Sequence, residues 1–99
     1  MQHLTIPLEN RMADGYSVPI GGVHLIFVTA GDGLIGCGAF DITALEKFGV
    51  PAAKMQAMTG PAITSIEEIL YAEVKEANRF AEERGITRGM IGKEALELL

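Results

Sequence analysis

The chain has 99 residues, a formal net charge of −5 and a 48% hydrophobic composition with mean hydropathy +0.26. That length makes one domain. Phosphate backbones and anionic membrane surfaces need clustered Lys and Arg, and no basic run longer than two residues occurs, so neither nucleic acid nor a membrane is an expected partner. So small a body has much surface for its volume and cannot hide every apolar side chain alone, which points to an oligomer interface. The single cysteine, Cys37, cannot form an internal disulfide. Residues 1–11 show no basic region followed by an apolar stretch, and Leu25-Ile26-Phe27-Val28 is far too short to span a bilayer. The reducing cytoplasm is the expected compartment.

Leu4, Ile6 and Leu8 alternate with His3, Thr5 and Pro7, predicting a first strand with one apolar face. Pro7 cannot donate to a ladder, so that strand belongs at an edge. Tyr16, Val18 and Ile20 alternate likewise, and Gly21-Gly22 signals a hairpin. Val23 to Ala30 is apolar on both faces and reads as a central strand. Gly31-Asp32-Gly33 turns the chain, and Leu34 to Ala39 returns antiparallel. Residues 1–40 thus form a β-meander of about four strands.

Asp41 can cap a short helix over Ile42 to Phe48, closed by Gly49 and Pro51. Ala52 to Met58 reads as a further strand. Ser65 followed by Glu68 has the form of a capping box. It opens a predicted long amphipathic helix from Ile66 to Arg84, striped by Ile66, Ile69, Leu70, Val74, Ala77, Phe80 and Ala81. On that helix Arg79 has Glu76, Glu82 and Glu83 at pairing distance. Gly85 ends it, and a short helix over Lys93 to Leu98 closes the chain. Strands first and helices later make an α+β domain over residues 1–99, with a β-rich oligomerisation region at 1–40 and a mostly helical part at 41–99.

The segment Gly31 to Asp41 carries the most chemical information. It sets Cys37 between two glycines and then Asp41 at the start of a helix. Four glycines within residues 31–38 mean tight turns and close backbone approach. Cys37, Gly38 and Asp41 are therefore the candidate ligand-binding residues, at a strand-to-helix junction. A reactive thiol needs a lowered pKa from a cation, a histidine or a helix N-terminus. No cation adjoins Cys37 in sequence, and Asp41 opposes ionisation. A buried cysteine packing as a small hydrophobe is the commoner case. His3 and His24, taken with Cys37, Asp32 and Asp41, match no metal-ligand spacing. A Cys37–His24 pair across the hairpin of residues 23–39 is geometrically allowed. Gly31, Gly33 and Gly36 have the spacing of a dinucleotide fingerprint, but a strand follows rather than a helix. The start of the Ser65 helix, after Thr59-Gly60-Pro61, offers outward N–H groups of the kind that bind anions, as nearly every helix does. No catalytic set and no metal site emerge.

Gly31-Asp32-Gly33, Cys37-Gly38-Ala39-Phe40-Asp41, Ile63 to Leu70, and Gly85 to Leu96, taken in that order, resemble the YunC-like proteins, small bacterial and archaeal proteins grouped as a domain of unknown function. The Cys-Gly-x-x-Asp step and the Gly-Met-x-Gly-x-Glu-Ala-Leu ending are the most specific parts. The resemblance implies a β-rich N-terminal region that mediates tetramer formation, with helices C-terminal to it. It implies no reaction and no catalytic residue. The chain departs from the pattern at Ala62-Ile63-Thr64, where a Gly-Val-basic sequence is expected, so the basic residue that would hold an anion at that loop is missing here.

The leading expectation is a homotetramer assembled through its N-terminal strands, a non-catalytic assembly or small-ligand-binding protein whose candidate pocket lies around Cys37 and Asp41. The alternatives are a thiol-dependent enzyme or redox sensor using Cys37, and a scaffold for a larger protein partner.

Overall fold

The computed structural model describes residues 1–60 and 62–99. The predicted break at Gly60-Pro61 therefore lies partly outside the described residues. Among the described residues six strands form one sheet in the order β1-β2-β3-β4-β5-β6. They are β1 (Gln2–Pro7), β2 (Met12–Ile20), β3 (Val23–Ala30), β4 (Gly33–Gly36), β5 (Ala52–Gln56) and β6 (Glu73–Ala77). The helices are α1 (Ile42–Lys47), α2 (Ile66–Tyr71), α3 (Arg79–Glu83) and α4 (Gly92–Leu98). The α+β class holds.

The meander forms as expected. β1 to β4 pair antiparallel in sequence order, with Pro7 at the end of edge strand β1 and β3 in the middle. Pro19 sits where β2 has run past the last β1 partner, Ser17, so its missing N–H costs no ladder bond there. Gly21 and Gly31 take positive φ of 59° at the two hairpin turns, a conformation that suits glycine. Residues 37–39 leave the sheet, so β4 is shorter than predicted.

The buried face of β2 differs from the expected one. Ala13, Gly15 and Ser17 face the helices, while Tyr16 and Val18 are half-buried on the other side and Ile20 is exposed. Small residues are needed there, because α2 lies close. A Cβ on Gly15 would stand 2.6 Å from Ile66 Cγ2. The covered face continues through Ile26, Val28, Ile35, Met55 and Val74, all sealed under Ile66, Ile69 and Leu96. Each such aliphatic burial contributes about 1.5–3 kcal/mol.

The long helix from Ile66 to Arg84 does not form. α2 stops at Tyr71, β6 follows, and α3 begins at Arg79. Glu73 to Ala77 pairs antiparallel with β5, whose outer edge would otherwise be bare. The far side of β6 is covered in turn, since Val74 N–H donates to Met90 O and Gly89 N–H to Val74 O, both at 2.8 Å. These sheet bonds outweigh a helical propensity that is only a weak prior. Asn78 completes the break. Its Oδ1 accepts from Ala52 N–H and Ala81 N–H, each at 3.1 Å, and its Nδ2 donates to Ile42 O at 3.0 Å and Val50 O at 2.9 Å. One buried side chain thus caps α3 and ties α1 to β5. Arg79 is placed differently from the helical expectation: its guanidinium lies 4.8 Å over the Phe80 ring, and its N–H donates to Glu46 Oε1.

Candidate pocket at the end of the parallel strands

β4 and β5 are the parallel pair of the sheet, joined through α1. In open α/β sheets ligands bind beyond the carboxyl ends of parallel strands, where the chain turns away, and this parallel pair offers the same kind of place. Here that turn is residues 37–40. Cys37 N–H donates to Ile26 O at 3.0 Å, and Phe40 N–H donates to Cys37 O at 3.1 Å, closing the turn with Gly38 and Ala39 exposed at its tip. Asp41 then starts α1. Its Oδ1 accepts from Thr43 N–H at 3.1 Å and Ala44 N–H at 3.0 Å, the capping role its sequence position implies.

A cavity of about 400 Å³ opens beside this turn. Cys37, Gly38 and Ala39 form one wall, and Met55, Ala57 and Ile63 line the apolar side. His24, Gln56 and Lys75 supply the polar groups. Two of the three candidate residues, Cys37 and Gly38, therefore meet at the cavity. Asp41 stands behind the turn, outside the lining, with one carboxylate oxygen engaged in the cap. Cys37 is 8% exposed and belongs to the core cluster, so it faces the cavity as a buried wall. The free, exposed thiol that the thiol-dependent alternative calls for is not what the structure places there.

The residues around Cys37 arrive by identifiable routes. Cys37 continues the covered side of β4 opposite Ile26, and His24 lies two residues along β3 on that same side. His24 Nδ1 is 3.3 Å from Ser17 Oγ on the neighbouring strand, which fixes the ring's orientation. The hairpin register alone could have found this neighbour. Lys75 could not be found that way. It is the extra residue in a bulge, where Lys54 pairs with Glu76 but Met55 pairs with Val74. A bulge re-aims a side chain, and this one brings Lys75 to the cavity on the Met55 side. Reading residues 66–84 as one helix leaves Lys75 on a solvent face.

The other residues weighed from sequence lie elsewhere. His3 is on the opposite side of the sheet, where Nε2 is 2.9 Å from Asp14 Oδ1 and the ring stacks on Tyr16 at 4.9 Å. Among the described residues no cluster of three or more His, Cys, Asp or Glu is placed to hold a metal ion. Asp32 is taken up by Arg84, whose Nη1 and Nη2 donate to Oδ1 at 2.7 Å and Oδ2 at 3.1 Å. This hydrogen-bonded fork holds the Asp32 carboxyl below its ordinary range. Ser65 Oγ accepts from Glu68 N–H at 3.1 Å as a cap, while the Glu68 carboxylate reaches back to Thr64. A second cavity of about 350 Å³ shares Ala57 with the first and is lined by Met58, Thr59, Glu67, Glu68 and Tyr71 on the flank of α2. No helix among the described residues is long and apolar enough to cross a membrane.

Comparisons with known proteins agree with this picture. No curated protein matches the chain. A crystal structure of a protein of unknown function from Thermoplasma acidophilum superposes with a TM-score of 0.85 at 21% identity, covering 97% of this chain and 89% of that one. At that identity the likeness shows a shared fold. The family model described as a domain of unknown function, DUF1805, matches residues 36–99, from the last residue of β4 through α4. That span holds the Cys37-Gly38-x-x-Asp41 step and the Gly89 to Leu96 ending, and the chain belongs to the DUF1805 family.

Proposed function

We propose that this chain is a homo-oligomeric protein that binds a small ligand beside Cys37 and Gly38, without chemistry of its own. The observation that carries this reading is the cavity at the carboxyl ends of parallel β4 and β5. It has an apolar side and a few convergent polar groups, the usual make-up of a small-molecule site. Asp41 acts behind the site by fixing the start of α1 and so the turn that carries Gly38. Assembly is through the N-terminal strands as a homotetramer, and the cytoplasm is the proposed compartment. Two features support assembly. The β2–β3 hairpin projects beyond β1 with Ile20 54% and Val23 66% exposed, and Tyr16 and Phe27, on the sheet face away from the core, are only half-buried.

Native mass spectrometry of the protein purified gently from its own cells tests both parts. The expected result is a tetramer carrying an added small mass. A bare tetramer contradicts the ligand, and a monomer contradicts the assembly.

A second reading keeps Cys37 as a working thiol reached through the cavity rather than from the open surface. What favours it is His24, which lines the same cavity and is oriented by Ser17. It requires Cys37 to react with iodoacetamide in the folded protein much faster than a free thiol at neutral pH. Slow labelling rejects it.

A further inference from the structure

The cavity beside Cys37 departs in charge from the rest of the molecule. The chain carries 13 Asp and Glu against 8 Lys and Arg, yet no described residue lining this cavity is acidic. Lys75 is its only formal charge, and Lys75 makes no ion pair among the described residues. One carboxylate is tied to the lining: Glu73 Oε1 accepts from Gln56 Nε2 at 2.7 Å. That bond leaves the Gln56 amide committed to Glu73.

Two backbone N–H groups around the cavity are donors, and His24 Nε2 is a third in one tautomer. Where the Ser17 hydroxyl donates to His24 Nδ1, the ring proton sits on Nε2, which then donates. Gly38 N–H and Ala39 N–H, at the tip of the turn, have no acceptor among the described residues. Gly38 is not demanded by conformation, since its φ is outside the positive range. Nor is it demanded by packing, since nothing lies within 4 Å of where a Cβ would stand. A bare backbone at that point leaves the two N–H groups open to approach. Val23, Met55 and Ile63 add apolar side chains to the lining.

We infer that this cavity takes a small organic monoanion, a carboxylate on a short apolar body, with Lys75 as its counter-ion and the turn at Gly38 and Ala39 as its hydrogen-bond cradle. The inference rests on the reading of this cavity as a ligand site. One lysine balances one negative charge. A phosphate dianion would leave a second charge uncompensated, in the field of a protein whose net charge is −5. The bulge in β6 fits the assignment, because it takes Lys75, which lines the cavity, out of the regular alternation.

Hexanoate, hexanamide and hexyl phosphate share one apolar body and differ in charge, so titration calorimetry of the full chain with each separates the cases. Hexanoate should bind at least roughly tenfold more tightly than hexanamide. Lys75→Gln, a change at an exposed position, should bring hexanoate down to the level of hexanamide and leave hexanamide unchanged. Equal binding of hexanoate and hexanamide, or indifference of hexanoate to Lys75→Gln, overturns the monoanion and leaves the pocket reading standing. Tighter binding of hexyl phosphate than of hexanoate overturns the choice of a carboxylate. No binding of any probe overturns the inference, and the pocket reading then falls only if the native spectrum also carries no added mass.

Discussion

The two faces of the sheet are built on opposite rules. On the covered face the residues of β2 are small, Ala13, Gly15 and Ser17, and the aliphatics of β3, β4 and β5 are sealed under α2 and α4. On the open face the same strands carry large side chains that stay half-exposed. His3, Tyr16 and Phe27 stack in a row, with centroids 4.9 and 5.0 Å apart, and Phe40 tilts against Phe27 at 5.3 Å. Helices approach closely only where side chains are short, so the covered face spends its bulk on the helices and the open face keeps its bulk in the strands. Hydrophobicity alone therefore misidentifies the inside of β2. Tyr16, Val18 and Ile20 are the apolar set, yet the core takes the other three positions. An open aromatic face of this kind is a surface that a second copy of the chain can cover.

The largest expected effect lies where the elements are tied together rather than on either face. Asn78→Ala removes all four hydrogen bonds that join α1, β5 and α3, leaving buried backbone groups unpaired. It should cost about 4 kcal/mol in urea unfolding. A loss under about 1 kcal/mol would mean that water replaces the side chain without penalty.

Adjacent residues of β3 compare the faces directly. Ile26 is fully buried and Phe27 points to the open side. Ile26→Ala should lose about 3 kcal/mol by denaturant unfolding. Phe27→Ala, measured on the dissociated chain, should lose about 1 to 2 kcal/mol despite removing the larger side chain. Equal losses would erase the distinction between the faces.

The smallest effect is electrostatic. Asp32 has a folded pKa below its ordinary 3.8 because Arg84 hydrogen-bonds its charged form. A depressed carboxyl pKa contributes stability that is present above the ordinary value and is lost as pH falls through the folded value. Asp32→Asn should therefore flatten the stability profile below about pH 4 and leave its shape above pH 5 unchanged. An unaltered acid limb would show that the pair, which is exposed to solvent, adds nothing.

The meander was legible because glycine turns and Pro7 mark strand ends by local sterics. α1 was legible through Asp41 and Gly49, which act within one turn of the chain. The segment from Ile66 to Arg84 was not, because its apolar residues fall at helical spacing while its fate depends on the bare edge of β5, far away in sequence. Val74 and Asn78 were the local signs against a continuous helix, one β-branched and the other a strong cap former. The site divided along the same line. Cys37 and Gly38 stood out through the glycine cluster around them. His24 needed the hairpin register, and Lys75 needed a bulge that no spacing in the sequence announces.

Sedimentation equilibrium of the wild-type chain beside Phe27→Lys tests the difference between the two faces most directly. The account predicts a wild-type mass of about 42 kDa, four times the 10.6 kDa protomer, and a smaller species once a charge stands in the open aromatic stack. A wild type that sediments as a single chain, or a Phe27→Lys variant that keeps the full mass, would contradict it.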